Sequence, residues 1–167
     1  MDLEGAGMSE SSVRVGLRPI TSANRQGVEQ LRVLPEQENY VDGVRSSLAE
    51  AAVKPGARPW YRGIYAGEAP VGFVMLADGV PPGNEDIPWR YYLWRFLIDA
   101  RYQGRGYGRA ALDEVVAHLR TKPDADVLVT SVVPGDGSPL DFYLKYGFRA
   151  TGQMFDREQV LQLPVMH

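Results

Sequence analysis

The residues whose types and spacing could do chemistry lie in Gln103-Gly104-Arg105-Gly106-Tyr107-Gly108-Arg109. Three alternating glycines follow an apolar stretch and open a helical one. Glycine removes the bulk that keeps a ligand off the backbone, and it tolerates positive φ. The first amides of a helix lack intrahelical partners, and the helix dipole adds partial positive charge there. Strand, glycine turn and helix start together predict an anion cradle. Arg105 and Arg109 add charge to it. The ligand expected there is a pyrophosphate or another phosphorylated cofactor. A dinucleotide fingerprint does not fit: counted from Gly104, the last glycine of G-x-G-x-x-G falls on Arg109. Several strands also precede the loop, unlike an early βαβ unit. No Gly-Lys-Ser/Thr ending makes it a Walker loop. A purely packing role is the bland alternative, and alternating glycines are costly for packing alone.

The elements around this loop follow from periodicity. Val13 to Arg18 alternates apolar and polar, the pattern of a half-buried strand, and Pro19 stops it. Thr21 or Ser22 can cap a helix over Asn24 to Leu34, with Val28, Leu31 and Leu34 on one face. A second helix is expected over Val41 to Ala52, ended by Pro55-Gly56. Trp60 to Tyr65 and Ala69 to Ala77 read as a hairpin turning at Ala66-Gly67-Glu68. Asp78 to Pro88 is a loop, and Tyr91 to Ile98 is a long aromatic strand. The helix carrying Ala111, Leu112, Val115, Val116 and Leu119 crosses over to a strand at Val127 to Val133. Such a crossover makes the two strands parallel neighbours. Ser138 to Tyr146 reads as a short helix ended by Gly147, and Phe148 to Gly152 and Gln159 to Leu163 as final strands. The expected class is α+β: a mixed, mostly antiparallel sheet flanked by helices.

Composition bounds the rest. The chain has 167 residues, 44% apolar and 23% charged, which suits one globular domain over residues 13–167. Residues 1–12, with their Gly and Ser content, are expected to form a disordered tail. There is no cysteine, so thiol catalysis, disulfides and Cys-based zinc sites are excluded. His118 and His167 are the only histidines; His118 is expected at the surface, and no metal site is expected. The net charge of -3 argues against nucleic acid as a partner. No stretch approaches the ~20 apolar residues of a membrane span. The default compartment is the cytoplasm.

Gln103-x-x-Gly106-x-Gly108 resembles the Q/R-x-x-G-x-G/A motif of the GCN5-related N-acetyltransferase (GNAT) family. Downstream, Phe142-Tyr143-Leu144-Lys145-Tyr146-Gly147-Phe148 resembles that family's F-Y-x-K-x-G-F element. The strand order fits from Val13 to Leu163. The stretch from Leu93 to Gly108 is similar to bacterial spermine/spermidine acetyltransferases. The resemblance implies a GNAT fold, acetyl-CoA as co-substrate, and a homodimer as a possible assembly. It implies that Phe96, Leu97 and Ile98 lie beside the pantetheine arm, their backbone pairing with it like an added strand. The resemblance further implies that Gly104, Arg105, Gly106, Tyr107, Gly108 and Arg109 hold the pyrophosphate, with Gln103 part of the same cofactor-binding motif. Tyr143 is implied as general acid near the thioester sulfur. An asparagine that often contacts the cofactor in this family is Asp136 here; a carboxylate beside a polyanion is unfavourable, so that contact is not expected.

The chemistry implied is direct acetyl transfer to a primary amine of a small molecule. A cysteine-free chain forms no thioester enzyme intermediate. An alkylammonium has a pKa near 10.4, so roughly one molecule in a few thousand is neutral at pH 7. Some base must take its proton. Where some members carry a glutamate this chain has Ser131, so a water relayed by backbone carbonyls or a more distant carboxylate is expected to act. Asp99 is expected to cap a turn. The acceptor is expected between the second helix, the Asp78–Pro88 loop and the aromatic strand. Acids gather there at Glu36, Glu38, Asp42, Asp78, Glu85 and Asp86, with Trp60, Tyr61, Trp89 and Tyr92 available to a cation. A polyamine fits such a rim. The alternatives are an amino acid, an aminoglycoside, a protein N-terminus, or a catalytically silent acetyl-CoA-binding module. Gly106→Asp is expected to weaken acetyl-CoA binding severely, through bulk and charge, when titrated by calorimetry; unchanged affinity would remove the pyrophosphate from this loop.

Overall fold

Val71 to Ala77 is nearly all apolar, and in the computed structural model, which describes residues 13–167, it is buried throughout. Such a run must be covered on both faces, so it belongs at the centre of a sheet. That sheet has seven strands: β1 (Gly16–Arg18), β2 (Pro59–Ala66), β3 (Ala69–Asp78), β4 (Tyr91–Ile98), β5 (Val127–Val132), β6 (Arg149–Phe155) and β7 (Glu158–Pro164). Their spatial order is β1-β2-β3-β4-β5-β7-β6. Only β4 and β5 run parallel; every other neighbouring pair is antiparallel. The tail expected over residues 1–12 lies outside the described residues.

Two pairs of helices cover the sheet. α1 (Arg25–Glu29) and α2 (Val44–Val53) bring Val28, Val44, Leu48 and Ala51 against Phe73, Met75, Tyr92 and Trp94. α3 (Tyr107–Leu119) and α4 (Leu140–Tyr146) bring Ala111, Leu112, Val115, Leu119 and Tyr143 against Val74, Leu76, Leu93 and Leu128. Alternation along β4 divides Tyr91 and Leu93 from Tyr92 and Trp94 between these clusters. The crossover through α3 delivers the parallel β4–β5 pair that the sequence predicts.

The expected first helix is shortened. α1 stops at Glu29, and the 3-10 turn at Pro35–Gln37 follows. The backbone leaves the helical path because Arg32 is pulled toward the end of β4. Its N–H donates to Asp99 Oδ2 at 2.9 Å, and its carbonyl accepts from the Ala100 N–H at 2.7 Å. Leu31 remains in the core. α2 likewise begins at Val44 rather than Val41, because Asp42 turns toward β4 and pairs with Arg95 at 2.9 Å. A register shift at Met75/Leu76 leaves Trp94 as an extra residue in β4. Trp94 and Arg95 therefore both address the α1/α2 side, and Phe96 returns to the other cluster.

Asp99 is the cap expected from its position. It is 3% exposed and accepts from the Arg32 N–H, the Arg101 N–H (2.9 Å) and Arg101 Nε (2.8 Å). Burial by itself would raise its pKa, but these donors outweigh burial and hold the carboxyl below its ordinary value. Asp99→Ala orphans the Arg32 amide and is expected to cost about 1–3 kcal/mol in urea denaturation. The stabilisation from a depressed carboxyl is complete above the unfolded pKa of about 4 and is lost as pH falls below it. Wild type should therefore lose more stability on acidification than Asp99→Asn does.

Candidate active site

β4 and β5 share one register pair, Tyr92 with Val129. The Thr130 hydroxyl adds a bond to the Leu93 carbonyl at 3.1 Å. From Arg95 to Ile98 no β5 residue pairs with β4, and the strands part around two adjoining cavities. Tyr40, Val41, Phe96 and Pro139 line both and form their common wall.

The first cavity has a volume of about 430 Å³ and is mostly apolar. Phe96, Leu97 and Ile98 line it along the open edge of β4. Gln103, Gly104, Gly106, Tyr107, Gly108 and Arg109 line it at the start of α3. Arg105 does not line it; its guanidinium lies 5.7 Å from the Tyr102 ring centre. The first bond inside α3 runs from the Ala110 N–H to the Gly106 carbonyl, so the amides of Tyr107, Gly108 and Arg109 stand ahead of it. Gly106, the N-cap, has φ 85°, a left-handed conformation that glycine takes without strain. Gly108 has a different reason: a Cβ there would come within 3.1 Å of the Phe142 ring. Phe142 stacks in turn on Phe96, with ring centres 6.0 Å apart.

Gln103 does not present its amide to a ligand. Its Nε2 donates to the Ile98 carbonyl and to Gln37 Oε1, each at 2.8 Å, and its Oε1 accepts from Gln37 Nε2 at 3.1 Å. Gln37 also accepts from the Leu34 N–H at 3.1 Å. The glutamine of the motif thus fastens the glycine loop to the segment before α2. A second tie lies opposite, where Gly137, in the loop before α4, packs on the Glu36 carbonyl. Gly137, Ser138 and Pro139 line the first cavity, and Asp136 is not among its lining residues.

The second cavity, about 250 Å³, is polar. Tyr143, which is 5% exposed, lines it. Adjacent positions on a helix are about 100° apart, so Phe142 and Tyr143 serve different cavities. Burial raises the Tyr143 pKa, the neighbouring Tyr92 raises it further, and the Thr130 hydroxyl lowers it; the net shift is upward. The phenol therefore holds its proton at neutral pH. Across the cavity Tyr92 Oη lies 2.5 Å from Ser131 Oγ, which donates to Glu158 Oε1 at 2.7 Å. Arg95 projects here and is paired with Asp42 at 2.9 Å and with Glu50 at 2.5 Å. Glu158 makes no ion pair among the described residues.

Several expectations about the acceptor side are corrected. The Asp78–Pro88 loop lines neither cavity, and nor do Trp60, Tyr61, Glu36 or Glu38. Asp78 is drawn to α3, 2.9 Å from His118 Nε2 and 3.8 Å from Lys122. His118 is half-buried rather than a free surface residue, with Trp60 stacked on it at 4.1 Å. Asp86 lies 3.8 Å from Lys54. Trp89 backs Tyr92 at 5.1 Å without lining the cavity itself. Gln37, Arg95, Glu50 and Glu158 were missed; only a non-local contact brings each to the site, and no local motif marks them. Among the described residues no group of three or more His, Asp or Glu could hold a metal ion. No helix among them is long and apolar enough to cross a membrane.

The acetyltransferase (GNAT) family model matches residues 25–148, and the chain belongs to that family. It is an N-acetyltransferase with acetyl-CoA as co-substrate. Among similar proteins is the spermine/spermidine N(1)-acetyltransferase of Bacillus subtilis strain 168, 26% identical over 148 residues, covering 88% of this chain and 96% of the relative. Among solved structures, an acetyltransferase from Thermus thermophilus matches with TM-score 0.69 at 23% identity, over 91% of this chain and 97% of that one. The PaiA N-acetyltransferase of Thermoplasma acidophilum in complex with coenzyme A matches with TM-score 0.63 at 13% identity, over 91% and 99%. The first cavity fits the co-substrate: free amides and Arg109 suit a polyanion, and an apolar trough beside an open strand edge suits an extended amide-bearing arm. A Cβ at Gly137 would meet the Glu36 carbonyl oxygen at 2.7 Å, at a φ of 83°. Gly137→Ala is therefore expected to cost roughly 1–3 kcal/mol in thermal denaturation. It should also weaken coenzyme A binding, because the loop must lift off the cavity wall.

Proposed function

We propose that the chain moves the acetyl group of acetyl-CoA directly to a primary amine of a small polycationic acceptor of the polyamine class. The observation that carries this is the second cavity. It shares a wall with the first cavity and holds Glu158, a carboxylate without an ion pair among the described residues, in a setting where Arg95 is already paired with Asp42 and Glu50. A cationic amine is attracted to such a site. The name of the Bacillus relative, a spermine/spermidine N(1)-acetyltransferase, supports the same class.

In this reading acetyl-CoA supplies an activated acetyl carbonyl. Gly104, Gly106 and the first amides of α3 hold its pyrophosphate, with Arg109 beside them and Arg105 adding charge from the rim. The open edge of β4 at Phe96, Leu97 and Ile98 pairs with its arm and delivers the carbonyl to the common wall. Backbone N–H groups there stabilise the negative charge that develops on the carbonyl oxygen. Tyr143, kept protonated by burial, gives its proton to the departing sulfur. The reaction belongs in the cytoplasm, where acetyl-CoA is supplied.

The test is thiol release from acetyl-CoA with spermidine, lysine, kanamycin and an N-terminal peptide as acceptors. Spermidine is expected to turn over fastest; preference for another amine would remove the polyamine assignment, and no release with any would leave a silent binding module. Tyr143→Phe is expected to lower kcat by roughly 10²-fold or more with acetyl-CoA affinity intact. Unchanged turnover would remove Tyr143 from the acid role.

A further inference from the structure

We propose that Tyr92, Ser131 and Glu158 form a relay that carries a proton from the acceptor ammonium to the Glu158 carboxylate. This rests on the acetyl-transfer reading above and supplies the base that the local sequence lacks. Three strands contribute one group each. Tyr92 is on β4, Ser131 on β5, and Glu158 is the first residue of β7.

Hydrogen-bond polarity gives the chain a direction. An ionised carboxylate only accepts, so the single Ser131 hydroxyl hydrogen is committed to Glu158 Oε1 at 2.7 Å. Ser131 Oγ must then accept from the Tyr92 hydroxyl, 2.5 Å away. Tyr92 Oη is left with a free lone pair in a cavity it shares with Tyr143. An ammonium there donates to that lone pair. Its proton passes to Tyr92 Oη as the Tyr92 proton moves to Ser131 Oγ and the Ser131 proton to Glu158. The products are a neutral amine, an unchanged phenol and alcohol, and one carboxylic acid. Glu158 is half-buried, so it returns the proton to water. The nitrogen loses a second proton as the amide forms, and that proton replaces the one Tyr143 gives to sulfur. No charge is left in the pocket.

Burial raises the Tyr92 pKa, and the Ser131 bond lowers it less, so Tyr92 passes protons on without ionising. The ionisable groups facing the relay are Arg95 on the same strand, Asp42 before α2, Glu50 on α2 and Tyr143 on α4. Arg95 is held by Asp42 and Glu50, which leaves Glu158 as the carboxylate able to take a proton. The rival explanation is structural: the same bonds tie β4, β5 and β7 together. The two differ in pH dependence. A relay is needed only while the amine arrives charged.

The experiment measures kcat/KM for spermidine with saturating acetyl-CoA from about pH 6 to about pH 10 for the full chain, Glu158→Gln, Ser131→Ala and Ser131→Thr. Near pH 7 the Gln and Ala variants should lose roughly 10²-fold. The deficit should shrink as pH approaches the amine pKa of about 10.4, where neutral amine is abundant. Ser131→Thr keeps a hydroxyl and should retain most activity. Calorimetric acetyl-CoA affinity should be unchanged in Glu158→Gln. A wild-type rate in Glu158→Gln, or a deficit constant across the pH range, overturns the relay and leaves the acetyltransferase reading standing. A wild-type chain silent toward spermidine, lysine and kanamycin alike sinks that reading, and the relay with it.

Discussion

Everything at the site depends on two parallel strands that meet at one rung and then separate. Tyr92 and Val129 pair, Thr130 holds the Leu93 carbonyl, and beyond that point β4 has no partner on this side. A sheet interior normally satisfies every backbone group. Here an interior strand keeps an unpaired edge, flanked by cavities that an extended amide chain can enter. The extra residue at Trp94 adds to the effect by turning Arg95 toward α2 just where the strands part.

The opening stays shaped because polar ties bridge its rims. Gln103 and Gln37 exchange amide hydrogen bonds and link the glycine loop to the segment before α2. Asp99 draws Arg32 to the end of β4 and cuts α1 short. Arg95 bridges Asp42 and Glu50, so the second cavity is edged by a neutralised pair rather than an exposed cation. Each tie acts between segments far apart in the chain. The Gln103–Gln37, Asp99–Arg32 and Arg95–Glu50 bonds are also partly shielded from water, where such bonds are worth more than at the surface, whereas Asp42 meets Arg95 from the exposed side.

That division explains what could be read in advance. The glycine loop and the crossover are local patterns with local physical causes, and the structure places them as the residues imply, whereas the Phe142-Tyr143 pair stands out in the sequence only through its resemblance to a family motif. Gly106 has its positive φ, and Phe142 and Tyr143 face the cavities. The acceptor side was not legible. Asp78, Trp60 and Tyr61 are acidic or aromatic in the right stretch of sequence, yet their strands carry them elsewhere, and His118 takes up Asp78 and Trp60. Glu158 looks like one surface acid of a hairpin until β7 is laid beside β5 and its carboxylate meets Ser131. Helix ends failed for the same reason. Periodicity continues through Leu34 and from Val41, but long-range bonds from Arg32 and Asp42 end the helical path sooner.

Phe142 and Tyr143 are chain neighbours that serve separate chambers, so the working property of α4 is its rotational phase. One residue of slippage in the connection at 133–139 would turn the helix by about 100° and set Phe142 or Leu144, neither with a hydroxyl, where the phenol now lies. Composition could be kept intact and the chemistry still lost. Gly135 and Gly137, pressed against Tyr40 and Glu36, act as the index marks that stop this connection from sliding.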